Sequence, residues 1–295
     1  MQYKNPLVSI VVPSYNHAPF VADCIKSIVS QDFKDFELIV IDDGSKDESP
    51  SILKTLQQTY GFQLLLNKNQ GLAKTLNQGF RDLAKGKYLT FCASDDYWLP
   101  GKLRKQVQFL EDNPEYAMVY GKAKIVDENN EEDVEQTRQK NEKLKGGFIF
   151  KELINIDFHP PVNYMLSALV IKELGYYKEH IWAEDFDMNL RIAESYPIGF
   201  IDEFLSGYRV NQSIPNKNLS FKTIYSHKNS IEQFSTSPFY KEAIKKWHFR
   251  CFTWYAPYIK GKKMALKGMF YNLDKVFMKE FLISFLVLLL KWHKE

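Results

Sequence analysis

The chain opens on a short apolar run at residues 7–12, which ends at Pro13. Phe20, Val21, Cys24, Ile25, Ile28 and Val29 then recur at helical spacing. A buried strand followed by a helix is predicted. The alternation continues with a strand at 36–41, a helix near 49–60, a short strand at 63–66, a helix at 72–84 and a strand at 88–92. Strands separated by helices of this length imply right-handed crossovers and a largely parallel sheet covered on both faces. Residues 100–112 read as a further helix with Pro100 in its first turn, where a missing N–H costs nothing. Residues 116–120 read as a strand, with Trp98 and Leu99 expected in the core. Residues 127–147 are polar, mostly charged and end in Gly146-Gly147, so they are predicted to form a surface loop or weak hairpin able to act as a lid. Apolar positions return at Phe148, and residues 184–195 form a predicted helix with Phe186, Leu190 and Ala193 on one face.

Composition narrows the class. At 295 residues the chain accommodates one large α/β unit with a C-terminal extension, or two domains. A net charge of +3 is too small to argue for a nucleic-acid partner, and none is expected. Cys24, Cys92 and Cys251 stand apart beside apolar neighbours, which predicts reduced core thiols and no zinc or redox pair. The first residues lack the basic-then-apolar profile of a secretory signal, so the bulk of the chain is expected in the cytoplasm.

Chemistry enters with two aspartate pairs. Asp42-Asp43 and Asp95-Asp96 each follow directly on a predicted strand. In an open parallel sheet the carboxyl ends of the strands mark the ligand crevice. Carboxylates gathered without Cys or His suit a hard divalent ion, Mg²⁺ or Mn²⁺, which typically bridges protein to phosphates. A metal-bound diphosphate is the expected ligand.

The ordered motifs VSIVVPSYN (8–16), LIVIDDGSKDES (38–49), NQGLAKTLNQG (69–79), ASDDYWLP (93–100) and AEDFDMNLRI (183–192) together resemble the family 2 glycosyltransferases of the GT-A fold, of bacterial surface-polysaccharide type. The resemblance covers roughly residues 8–209. It implies a Rossmann-like, mostly parallel sheet flanked by helices. It also implies a nucleotide-sugar-binding part at 1–120, an acceptor-binding part at 121–215 and a C-terminal helical, basic and aromatic extension at 216–295. The implied activity is transfer of a sugar from a nucleotide-diphosphate donor, most simply a UDP-sugar, with inversion at the anomeric carbon. The implied acceptor is a glycan or lipid-linked glycan.

Roles carry over residue by residue. Pro13 and Tyr15 leave the first strand where a ring can stack on a nucleobase; a turn with a half-buried tyrosine gives the same pattern. Asp43 resembles the aspartate that accepts a hydrogen bond from uracil, although Asp-Gly-Ser is also ordinary turn chemistry. Lys74, and with it Asn77, lies on the helix that follows Asn69 and would face the donor's phosphates or ribose. Ala93 stands where an acid is commoner, leaving Asp95 for the ribose and Asp96 for the metal; Asp96 also fits a helix N-cap. Asp185 is by resemblance the general base, kept ionised by the helix N-terminus. Asp187 and Arg191 read as an i to i+4 surface pair. Arg209 would carry diphosphate charge, Asn211 replacing a histidine that often ends this segment. His159 and Trp182 are acceptor-side candidates.

Residues 241–279 carry ten Lys or Arg against two acids, interleaved with aromatic rings, and an apolar run follows at 281–290. Ten residues span about half of a ~30 Å bilayer core at ~1.5 Å each. Such a segment suits the surface of an anionic membrane, which would make the protein peripheral at the inner face of a bacterial plasma membrane; a C-terminal helix packed on protein with solvated lysines fits as well. A catalytically inactive subunit of a glycan-assembly complex is the alternative function. A nicotinamide oxidoreductase is disfavoured, since the turn after the first strand holds no Gly-x-Gly-x-x-Gly.

Overall fold

A computed structural model describes residues 5–210 and 221–290. Asn211 therefore lies outside the described residues. The chain forms two compact units, one of residues 1–149 with 158–216, the other of residues 150–157 with 217–295.

The first unit is built on one eight-stranded sheet. Its strands are β1 (Val8–Ser14), β2 (Phe36–Asp42), β3 (Gln63–Leu66), β4 (Tyr88–Phe91), β5 (Tyr97–Trp98), β6 (Met118–Val126), β7 (Met165–Ser167) and β8 (Ile198–Arg209), in the order β3-β2-β1-β4-β7-β6-β8-β5. The pairs β3-β2, β2-β1 and β1-β4 are parallel, as the strand-helix alternation predicts. β7 runs antiparallel between β4 and β6, while β6 and β8 are parallel. Every residue of β1 is buried, so this strand needs apolar side chains on both faces and has them.

Helices α1 (Val21–Val29), α2 (Ser49–Tyr60), α3 (Leu72–Asn77) and α4 (Lys102–Asp112) cover the parallel half. α1 sinks Val21, Cys24, Ile25 and Ile28 into the core shared by Ile10, Val40 and Leu103. The helix expected at 72–84 is α-helical only to Asn77 and continues as a π-helical segment, Gln78–Leu83. Pro100 is not in the first turn of α4. Gly101, at φ +82°, intervenes in a left-handed conformation that only glycine adopts freely, and the helix starts at Lys102. Residues 127–147 are also not merely a loop. They contain α5 (Val134–Asn141), whose N-cap Asp133 accepts from the Gln136 N–H. Its buried face is polar: Thr137 and Asn141 bond the edge of β6 through the Ile125 and Ala123 N–H groups, which hides the helix from an apolar-period test. α7 (Ala168–Leu174) and α8 (Glu184–Ser195) complete this unit. Phe186, Leu190 and Ala193 are buried, as expected.

The second unit consists of α6 (Phe150–Ile154), α9 (Phe221–Glu232), α10 (Tyr240–Tyr255), α11 (Lys262–Phe270) and α12 (Lys279–Leu290). Trp247 Nε1 donates to the Ile224 carbonyl at 2.9 Å, locking α10 to α9. Gly268 lets α11 approach α10, because a Cβ there would lie 2.1 Å from the His248 carbonyl oxygen. Among the described residues no helix is long and apolar enough to cross a membrane. The three cysteines are free and buried.

Candidate active site

Three loops at the carboxyl ends of the parallel strands are stitched together by hydrogen bonds, most of them from side chain to backbone. Ser14 lies level with Asp42 in the β1-β2 ladder, and the Asp43 N–H donates to the Ser14 carbonyl at 2.8 Å. Asn16 turns the chain at φ 55°, a conformation asparagine tolerates better than most residues. Its N–H reaches Ser45 Oγ at 2.9 Å, and its side-chain oxygen accepts the Lys46 N–H at 2.7 Å. Tyr15 is left half-exposed beside this junction, whereas Pro13 is buried within β1.

The first aspartate pair divides its work. Asp42 Oδ1 accepts the Gly44 and Ser45 N–H groups and Oδ2 takes the Ser45 hydroxyl, so Asp42 supplies the turn chemistry. Asp43, only 5% exposed, reaches the other way. Its two oxygens accept the N–H groups of Gln70 and Gly71 at 2.8 and 2.9 Å, fixing the loop that opens α3. Gly44 sits at φ +81°, and a Cβ there would come within 2.7 Å of the Asn69 nitrogen. Lys74 stands exposed on α3. Asn77 does not face a donor site: it is buried, accepting the Tyr177 N–H and donating to the Tyr177 carbonyl and Glu179.

The second pair lies in a turn closed by the Asp96 N–H on the Ala93 carbonyl. Asp96 is buried, and its Oδ1 accepts the Arg209 main-chain N–H at 2.8 Å. Burial first, and the Asp95 charge second, hold the Asp96 carboxyl well above the usual range. Asp95 is more exposed and lies 3.7 Å from His17 Nδ1, which also meets Ser94 Oγ at 2.8 Å. His17 thus belongs to this cluster, although a lone histidine beside a motif gives no such signal in sequence. Arg209 is 6% exposed, with its guanidinium over the Phe20 ring at 4.6 Å and bonded to the Asp95 carbonyl and Asn130. Its Nε has no partner among the described residues.

The third acidic site opens α8, which begins Glu184-Asp185 and has Asp187 in the same turn. Asp185 Oδ1 accepts the Phe186 N–H at 2.8 Å. Burial raises the Asp185 carboxyl, outweighing the downward pull of that N–H at the helix start and of Lys140. Glu184 is pushed up to about 7 by burial and by the Asp185 charge. Lys140 comes from α5 and donates to the His159 carbonyl at 3.4 Å, while the His159 ring packs edge-on to Phe186. Trp182 is exposed. Asp187 and Arg191 do not form a surface pair. Asp187 is fully buried, Arg191 bonds it at 2.8 Å, and the rest of that guanidinium serves the carbonyls of Leu174, Gly175 and Tyr176.

Tyr208 stands on β8 next to Arg209. Its hydroxyl is pushed up to about 12 by partial burial and then by the charges of Asp96, Asp95 and Asp185, with the side chain still 44% exposed. Asp95 and Asp96 fit a divalent ion: they crowd negative charge that a cation would relieve, and an ion shared with a diphosphate needs only one or two protein carboxylates. Among the described residues no group of three or more His, Cys, Asp or Glu side chains is placed to hold a metal ion.

Comparison with known proteins accords with this arrangement. The model of the family described as Glycosyl transferase family 2 matches residues 9–175. An uncharacterized glycosyltransferase of Methanocaldococcus jannaschii is 30% identical over 74% of this chain and 74% of its own length. The GalNAc(5)-diNAcBac-PP-undecaprenol beta-1,3-glucosyltransferase of Campylobacter jejuni is 39% identical over 42% of this chain and 40% of its own. The crystal structure of S. aureus TarS 1-349 in complex with UDP-GlcNAc superposes with a TM-score of 0.67 at 17% identity, covering 89% of this chain and 79% of that one, which establishes the GT-A type of fold. A family match over more than half the chain, on a sheet whose strand ends carry paired carboxylates, makes this protein a member of glycosyl transferase family 2.

Proposed function

We propose that the chain is an inverting, metal-dependent glycosyltransferase that moves a sugar from a UDP-sugar to a bacterial surface glycan carried on a lipid. The observation that carries this reading is the acidic pair Asp95-Asp96 on the turn after β4, tied to β8 by the Arg209 N–H and to the β1 loop by His17, with a second acidic group, Glu184-Asp185, opening α8. The first pair suits a departing diphosphate and the second an attacking hydroxyl. The UDP-GlcNAc complex of TarS and the undecaprenol-linked acceptor named for the Campylobacter relative favour the donor and acceptor classes.

Asp185 takes the proton of the acceptor hydroxyl as its oxygen bonds the anomeric carbon, and the bond from that carbon to the diphosphate oxygen breaks in the same displacement. A raised carboxyl pKa suits this task, since a base works best with its pKa near the working pH. Asp96, with Asp95 beside it, would hold Mn²⁺ or Mg²⁺, which supplies positive charge to the leaving diphosphate. Tyr15 stacks on the base, and Asp43 offers uracil a carboxylate already fixed by two N–H donors. Arg209 and Lys74 add positive charge to the diphosphate side.

The test is transfer and donor hydrolysis with lipid-linked acceptors, comparing the unmodified chain with Asp185→Asn. Turnover should fall by about 10²–10⁴ with donor affinity kept. Unchanged turnover removes Asp185 from the role, and no turnover in the unmodified chain favours an inactive subunit.

A further inference from the structure

The C-terminal helix of the second unit is inside out for a helix in water. α12 packs Phe281, Ser284 and Leu288 inward, so the one polar residue of its apolar run is buried. Leu282, Ile283, Phe285, Leu286, Leu289 and Leu290 are exposed. A helix that meets water on its outer face carries its polar residues there. The turn that leads into α12 continues the apolar surface, with Phe277 93% exposed and Phe270 64% exposed.

Charge says what covers this face. Residues 259–279 hold six lysines and a single acid, Asp274, which Lys245 pairs at 2.7 Å. Lys263, Lys267 and Lys279 are exposed. An apolar strip with aromatic rings, bordered by lysines, matches the boundary of an anionic bilayer, where rings and aliphatic side chains enter the acyl region and ammonium groups meet phosphates. α12 is twelve residues long, so it is suited to lying in the interface and not to spanning it.

We propose that the outer face of α12 and the turn at Phe277 form a docking surface for a membrane leaflet containing anionic phospholipid. The surface is independent of the donor chemistry, which lies in the other unit.

The experiment is co-sedimentation of the full chain with vesicles of phosphatidylcholine alone and of phosphatidylcholine mixed with phosphatidylglycerol. The chain should sediment with the mixed vesicles and much less with the neutral ones, and binding should weaken with salt. The double variant F277S/L286S should lose about tenfold or more of its vesicle partition, since each side chain enters hydrocarbon only when bound. Its melting temperature should not fall, because both residues are already exposed. Lys263→Glu with Lys267→Glu should remove the preference for phosphatidylglycerol. Failure to sediment, or a double variant that binds as before, overturns the proposal. So does light scattering that shows a dimer which the double variant dissolves, since that would assign the face to a second copy. UDP binding by the double variant should match the unmodified chain, which separates this result from the donor assignment.

Discussion

The Arg209 main-chain N–H donates to Asp96 Oδ1 at 2.8 Å across 113 positions of sequence. The end of β8 is thereby fastened to the turn after β4, and the carboxylate proposed to hold a metal is oriented by backbone, not by a mobile side chain. Asp96→Asn keeps an acceptor for that N–H and removes the charge. Calorimetry of UDP binding should then show the stimulation by Mn²⁺ abolished with the fold intact. Equal UDP affinity with and without Mn²⁺ in the unmodified chain would falsify the metal assignment.

Burial raises the pKa of Asp185, and Lys140 offsets part of that push. As pH falls through the raised pKa the carboxylate is protonated, so with Asp185 as the proposed base the acid limb of kcat/KM should lie above the ordinary carboxylate range. Lys140→Met removes a neighbouring positive charge and should move the acid limb to still higher pH, leaving the plateau activity nearly unchanged. A uniform loss at every pH would mean that Lys140 serves packing alone.

Gly44 holds the turn on which both Asp42 and Asp43 depend. Gly44→Ala meets a positive φ and a backbone atom at once, so destabilisation of about 1–3 kcal/mol is expected, with UDP affinity lost as Asp43 shifts. Denaturant unfolding measures the first effect and calorimetry the second; an unchanged midpoint counts against the tight approach.

Lys102 is fully buried, bonded to Gln106 Oε1 at 2.7 Å and set 3.9 Å from the Trp98 ring centroid. Burial lowers its pKa from 10.5 to about 7. Between those values the unfolded chain binds the proton and the folded chain does not, so this group makes stability rise with pH across that window. Below about 7 its full penalty is present. Lys102→Met should flatten the rise, which amounts to roughly 1.4 kcal/mol per pH unit at its steepest. Melting temperatures measured across that window check it, and parallel profiles for the two chains refute the buried-charge account.

The parallel half of the sheet was legible because β1, β2 and β4 are buried over most of their length and α1 shows a clear apolar stripe; α2, β3 and α8 begin and end where the pattern predicts. α5 was not legible. Its inner face uses Thr137 and Asn141 as substitutes for backbone partners on β6, and such pairing leaves no hydrophobic period. Asp187 and Arg191 misled for a related reason: i to i+4 spacing records that two charges can meet, but whether they meet in water depends on what the rest of the chain lays over them.

By itself the sequence determined the order of strands and helices in the first third of the chain, the acids at the strand ends and the family they mark, because local period and adjacent motifs are properties of neighbouring residues. The burial of Asp96 against the Arg209 N–H, the placing of His17 beside Asp95 and of Lys140 near Asp185, and the outward turn of the apolar face of α12 were decided only by tertiary structure. Proximity and burial arise when segments a hundred residues apart pack together, and electrostatics follows from burial.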